Sequence, residues 1–347
     1  MLRNSLIPDS LLSMRKLRNL GLVSALLLTL VTACSSSDTQ VSELTIYSGR
    51  AEEFIAPFFE IWQQQSGIKL NVRYGDSAEL AAQILEEGKN SPADIFLSQD
   101  AGSLGAISNE QLFTPIPTGV AELIPDRYSQ ANRDWIGVTA RVRVFAYAPD
   151  RISLTPKTIT DLTKPIYKNQ LAIAPTNASF QAFLTAVIEN KGRAFAKQWL
   201  LDLKKNGVKT YAKNSAIVEA IDKGEVSIGL VNHYYVWEVS ESLGRQINAV
   251  NGYFEANDLG NLINVSGVGI LASSNKRQAA IDLINFLTSE PIQNKFVSDT
   301  HEYSLIQSIN PPQDLPSLAQ VGALSIDLEV LKNIKNTQDL LIEVGLL

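Results

Sequence analysis

The 347-residue chain has one cysteine and two histidines. A single thiol excludes a disulfide scaffold and any Cys-rich zinc or iron–sulfur site, and two imidazoles exclude a His-rich metal centre. Methionine is equally scarce, and both copies, Met1 and Met14, lie at the extreme N-terminus. Basic residues are outnumbered: 30 Lys and Arg against 36 Asp and Glu leave a formal net charge of −6, so a nucleic-acid binder with a broad basic face is excluded. Charged residues make up only 19% against 45% hydrophobic. That composition is globular and rules out disorder, collagen and coiled coil as the main state, and the length fits two domains. There is no Gly-rich phosphate loop, no HExxH and no Ser–His–Asp order, so an enzyme is not expected.

What is present begins with a leader. Arg15, Lys16 and Arg18 precede an apolar run from Leu20 to Val31, interrupted by Gly21, Ser24 and Thr29, and then Val31-Thr32-Ala33-Cys34. A basic segment, a short apolar segment and small residues before the cut describe a secretory signal over residues 1–33, with the true start expected at Met14. The run is short for a membrane-spanning helix. Val-Thr-Ala-Cys looks like a bacterial lipobox, which makes Cys34 the expected lipidation site; an uncleaved anchor with an incidental cysteine is the alternative. The leader holds four basic residues (Arg3, Arg15, Lys16, Arg18) and one acid (Asp9), so its loss takes the formal charge from −6 to −9. It also removes both thioethers, and lipidation consumes the thiol, the most oxidisable groups of a protein. Residues 34–42, with three consecutive serines, read as a lipid-anchored tether. The expected location is beyond the inner membrane, in the periplasm or at the outer face of the membrane.

The folded part reads as alternating strands and helices. Strands are expected at 44–47, 68–74 and 93–97, with helices at 51–66 and 78–87 between them, stopped by Gly67 and Gly88. This β-α-β-α-β order predicts a parallel sheet covered by helices, an α/β fold. Further strands are expected at 140–147, 170–174, 226–231 and 265–272. Helices are expected at 178–191, 194–206, 235–243 and 278–287, and residues 324–347 read as mostly helical. Such sheets bind ligands beyond the carboxyl ends of their strands. Three strand-end turns place a small polar residue before a helix: Ser77, Thr176 or Asn177, and the segment Lys213-Asn214-Ser215. Each would aim backbone N–H groups outward, and together they could hold an anion.

The turn Val231-Asn232-His233-Tyr234-Tyr235 is the most unusual. In a straight strand adjacent phenols point to opposite faces, but at a strand-to-helix turn they can converge. Core packing is the ordinary use of such a pair. Two phenolates also suit ferric iron, a hard cation that favours anionic oxygen.

With these residues the chain resembles the bacterial ferric-ion-binding periplasmic proteins, the solute-binding components of iron(III) ABC importers. The resemblance rests on Leu44-Thr-Ile-Tyr-Ser-Gly-Arg50, on Ala78-Glu-Leu-Ala81 with Leu85-Glu-Glu-Gly88, and on Ser91-Pro-Ala-Asp-Ile-Phe96. It continues through Ala140-Arg-Val-Arg-Val144 ahead of Tyr147, Ala174-Pro-Thr-Asn-Ala-Ser-Phe180, Tyr211-Ala-Lys-Asn-Ser215 and Val231-Asn-His-Tyr-Tyr235. It implies a two-lobed fold that closes on its ligand, with hinge crossovers between lobes: 43–138 plus 265–305, and 139–264 plus 306–347. It implies Fe3+ as cargo with carbonate, bicarbonate or phosphate as a synergistic anion, an ABC permease and its ATPase as partners, and a monomer.

Carried over position by position, the resemblance makes Tyr234 and Tyr235 the iron ligands. The anion falls to Asn177, Ala178 and Ser179, with Asn214 and Asn232 in support and Arg141 facing it, or alternatively Arg143. Arg50 is a candidate for a second anion contact. Two family ligand positions are empty of donors here: Ala51 where many members carry histidine, and Ala78 where some carry glutamate, with Glu79 one residue later. Tyr47, Tyr74, Tyr128 and Glu79 are further candidate helpers. A protein of the same fold carrying another solute (an oxyanion, a phosphonate, a sugar or a polyamine) is the alternative.

Overall fold

The computed structural model describes residues 41–347, so the leader, Cys34 and nearly all of the tether lie outside the described residues. Ser42–Leu347 form one compact unit. β1 (Glu43–Ser48) buries Leu44 and Ile46 completely. α1 (Glu52–Ser66) turns Ile55, Phe58, Phe59 and Trp62 inward at helical spacing. It ends at Gly67, whose φ of 71° lets its N–H close on Gln63 O. β2 (Lys69–Tyr74) and β3 (Ile95–Ser98) pair parallel on either side of β1, with α2 (Ser77–Glu87) between them in sequence. Asp76 caps α2 by accepting the Ala78 N–H. After β3 comes α3 (Ala101–Asn109), capped by Asp100, and the short β4 (Phe113–Thr114).

β5 (Trp135–Tyr147) is longer than expected from the sequence, which marked only its second half. Gly137 and Thr139 dilute the first half's apolar signal, yet that half is fully buried. The remaining elements are β6 (Leu171–Ile173), α4 (Ala178–Lys191), α5 (Arg193–Lys205), β7 (Lys209–Thr210) and α6 (Asn214–Asp222). β8 (Ile228–Asn232), α7 (Tyr235–Ser242), β9 (Val250–Gly252) and β10 (Ile263–Leu271) follow. The chain ends through α8 (Arg277–Leu287), α9 (Glu290–Thr300), β11 (Tyr303–Ser304) and α10 (Ile334–Glu343). The sequence pattern did not mark α9. It packs on α1 through Phe296, stacked 3.8 Å from Phe58 between ring centroids.

The sheet runs β2-β1-β3-β10-β5-β8-β6-β7. The parallel expectation holds for β2-β1-β3 and for β8-β6-β7. Between them β10 and β5 are antiparallel to their neighbours, so the whole is mixed rather than parallel. β5 joins the two halves: Trp135–Val142 pair with β10, and Arg143–Tyr147 pair with β8. Among the described residues no helix is long and apolar enough to cross a membrane.

Candidate anion and metal site

The two tyrosines leave the end of β8 where His233 anchors the turn. His233 is fully buried. Its N–H donates to Val142 O (3.1 Å), and its Nδ1 accepts the Val142 N–H (3.2 Å). That leaves Nε2 to donate to His301 O at 2.7 Å. Both ring nitrogens are thus used by a neutral imidazole, and burial pushes the pKa down to about 4. With His233 fixed inside, Tyr234 and Tyr235 begin α7 side by side, their ring centroids 4.6 Å apart. Phe54 of α1 meets Tyr234 edge-on at 5.9 Å. Burial is also the main reason that the Tyr235 phenol titrates well above its ordinary value, with the neighbouring Tyr234 and Glu238 adding to it.

A continuous polar network runs from the phenols to a helix N-terminus. Asn232 Nδ2 donates to the Tyr234 hydroxyl (3.3 Å) and to Ser179 Oγ (3.1 Å). Asn177 caps α4 by accepting the Ser179 N–H (3.0 Å), and the same Oδ1 accepts from Asn214 Nδ2 (3.1 Å). Arg143 closes the ring by donating to Asn214 Oδ1 (3.4 Å), Asn232 Oδ1 (3.3 Å) and Leu230 O (2.8 Å). Burial lowers its pKa to about 9, opposed by the phenols of Tyr235 and Tyr234, so it stays a cation at neutral pH.

Arg141 is different. It is 1% exposed, and none of its three guanidinium nitrogens has a hydrogen-bond partner. A buried charge without a partner is costly, and such a group is complementary to an anion. Asp100 is a countercharge within its reach, its carboxyl raised by burial and only partly pulled back by its Ser103 hydrogen bonds and by Arg141.

The other expected residues fall elsewhere. Arg50 does not offer its guanidinium to an anion: its Nη2 lies 2.7 Å from Glu302 Oε2, and both side chains are buried. Glu302 satisfies it within the fold, so the second anion contact is not supported at this residue. Tyr47 donates to Glu87 (3.1 Å) and accepts from Gln83 (3.1 Å). Tyr128 is buried beneath Arg127, whose guanidinium lies 4.7 Å from its ring centroid. Glu79 is exposed on the first turn of α2 and makes none of the site's hydrogen bonds. Ala178 contributes backbone only, in the first turn of α4.

Two residues not singled out from the sequence reach the tyrosines. Gln99, just past β3, donates from Nε2 to the Tyr234 hydroxyl at 3.4 Å. Its own N–H donates to Ser77 Oγ at 2.9 Å. Ser77 fits there because position 49 is glycine; a Cβ would lie 2.0 Å from Ser77 Oγ. Glu238, one turn along α7, shares with Tyr234 a cavity of about 250 Å3. Burial and Glu53 push its pKa up to about 7, against the pull of Lys213. A strand-end glutamine carries no special spacing; the glutamate lies four residues after Tyr234, a helical spacing that by itself names no partner, so the tertiary structure is what reveals both.

Comparison with known proteins agrees with the geometry. The family described as bacterial extracellular solute-binding protein matches residues 90–327. The Fe(3+)-binding periplasmic protein of Serratia marcescens is 31% identical over 331 residues, 94% of this chain and 96% of that protein. Iron-bound HitA from Pseudomonas aeruginosa superposes with a TM-score of 0.82 at 30% identity, covering 87% of this chain and 99% of that one. The apo ferric ion-binding protein A of Pasteurella haemolytica gives 0.80 at 28% identity, over 88% and 98%. The chain has the α/β fold of the periplasmic binding proteins and belongs to the bacterial extracellular solute-binding proteins, with ferric-ion-binding periplasmic proteins among its relatives.

Proposed function

We propose that this protein carries ferric iron outside the cytoplasm, binding Fe3+ at Tyr234 and Tyr235 together with an anion, carbonate, bicarbonate or phosphate. The observation that carries this reading is the unpartnered, buried Arg141 guanidinium close to a hydrogen-bonded network that joins two adjacent phenols to the α4 N-terminus. The residues present fit a hard trivalent cation taken as cargo. Phenolates are hard anionic donors of the kind a trivalent iron favours. Asn177, Ser179, Asn214 and Asn232 hold the phenols and the helix terminus in place, and the Ala178 N–H and the Ser179 hydroxyl face the anion. Arg141 supplies the charge that offsets it.

The cleft lies between the lobes 43–138 plus 265–305 and 139–264 plus 306–347, which close on the ligand. The carrier is a monomer, secreted and lipid-anchored through Cys34, and it delivers iron to an ABC permease driven by its ATPase. Its ferric-ion-binding relatives favour a carrier over an enzyme. The orphan guanidinium also fits a second reading, a carrier of an oxyanion alone. Titration of the apoprotein with ferric citrate, with and without added phosphate, separates the two. The ferric reading expects a visible phenolate-to-iron band that Tyr234→Phe and Tyr235→Phe each abolish. Tight phosphate binding with no colour in any mixture would instead establish the oxyanion carrier.

A further inference from the structure

Glu238 stands three residues after Tyr235 and four after Tyr234 on α7, spacings that place all three side chains on one side of the helix. Glu238 and Tyr234 line the same cavity of about 250 Å3, closed on the α1 side by Phe54 and Glu53. Of the other acids of that cavity, Glu53 is exposed, and Glu241 and Asp299 are engaged: Glu241 with His301 at 3.1 Å, and Asp299 with Lys295 and Ser298. Glu238 is not, for its Oε2 is buried with no hydrogen-bond partner. A buried carboxylate oxygen without a hydrogen-bond partner, with Glu53 opposing its charge more than Lys213 favours it, is costly in the empty protein. The cost is recovered once a cation enters.

We propose that Glu238 is a third iron-binding side chain, its carboxylate joining the phenolates of Tyr234 and Tyr235 on the ferric ion. This rests on the ferric-carrier reading above. The charges then balance. Fe3+ with two phenolates keeps one positive charge, and the Glu238 carboxylate cancels it. A doubly charged anion is left to be matched by the two buried guanidinium groups of Arg141 and Arg143. A carboxylate is a hard oxygen donor of the kind ferric iron takes, and it needs no proton displaced when ionised. In this arrangement α7 supplies all the protein ligands from its first two turns, while Arg141 and the α4 N-terminus supply the anion pocket.

The test compares Glu238→Gln with Glu241→Gln, Tyr234→Phe and the parent, each titrated with ferric citrate in the presence of phosphate. Glu238→Gln is expected to lower iron affinity by at least about tenfold, the scale on which changes around a metal act. The phenolate-to-iron band should move to longer wavelength, since loss of an anionic donor makes the iron a better electron acceptor. Glu241→Gln removes the same charge one turn further on and is expected to leave the band in place. Parent-like affinity and band position in Glu238→Gln, with Tyr234→Phe colourless, overturn the proposal while sparing the carrier reading. An equal shift in Glu241→Gln overturns it in favour of a distant charge effect. Colour retained in Tyr234→Phe and Tyr235→Phe overturns the carrier reading and the proposal with it. Melting of the apo variants checks folding, and Glu238→Gln is expected to melt no lower than the parent.

Discussion

Arg141 and Arg143 leave the same side of β5 two residues apart, yet Arg143 is held at both terminal nitrogens and Arg141 at none. Both are buried. Alternation along the strand explains their common direction. The difference lies in what stands opposite. β8 and α6 bring Asn232 and Asn214 to Arg143, whereas the space before Arg141 holds no acceptor. One arginine is part of the frame and the other is left without a hydrogen-bond partner.

Arg141→Met should therefore stabilise the apoprotein. Replacing an unpaired buried charge by an apolar side chain of similar length is expected to gain on the order of 1–4 kcal/mol. The same variant should lose any rise in melting temperature on adding phosphate. A destabilised apoprotein that still responds to phosphate would show that Arg141 is structural.

Asn177 caps α4, and on the proposed reading it also faces the anion. Asn177→Ala should cost about 1 kcal/mol through loss of the cap. Asn177→Asp keeps the acceptor for the Ser179 N–H and so should melt near the parent, but its negative charge should repel the anion. Equal phosphate affinity in Asn177→Asp and parent, by calorimetry, would place the anion elsewhere.

His233 makes stability fall in acid. Its folded pKa of about 4 lies below the ordinary value near 6.5. The unfolded chain therefore takes the proton first as pH drops. The contribution is fully present above about pH 6.5 and is lost as pH falls towards 4, by about 3 kcal/mol in total. Urea unfolding across this range should show the slope, and His233→Gln should flatten it while lowering stability at neutral pH. The same slope in His233→Gln would assign the acid sensitivity to other groups.

Iron uptake should release protons. Each phenol that binds as phenolate sheds one, and burial makes the Tyr235 proton harder to remove in the empty site. Affinity for iron should thus decline with falling pH. In a pH-stat, any Tyr→Phe variant of the pair that retains weak binding should release one proton fewer than the parent. An unchanged count would mean that phenol does not ligate.

Much of this was legible in the sequence because local rules suffice for it. The first β-α-β-α-β unit follows from alternating strands and from helices stopped at Gly67 and Gly88, and the structure reproduces it. Asn177, Asn214, Asn232, Tyr234 and Tyr235 were visible as turn and cap residues, and the fold brings them together. The antiparallel centre was not legible, since β10 reaches β3 and β5 across long stretches of chain whose pairing no periodicity encodes. The pairing of Arg50 was not legible for a related reason: its partner Glu302 is 252 residues away. Gln99 has no local mark either, and the helical spacing of Glu238 from Tyr234 gains meaning only from where α7 lands.

β5 belongs to both halves of the sheet, and the handover falls between Val142 and Arg143. A twist of one half against the other would be felt along this strand, like torsion in a wire clamped at both ends. Arg141 stands on the stretch paired with β10 and Arg143 on the stretch paired with β8, so one continuous strand carries both cations across the seam of the sheet.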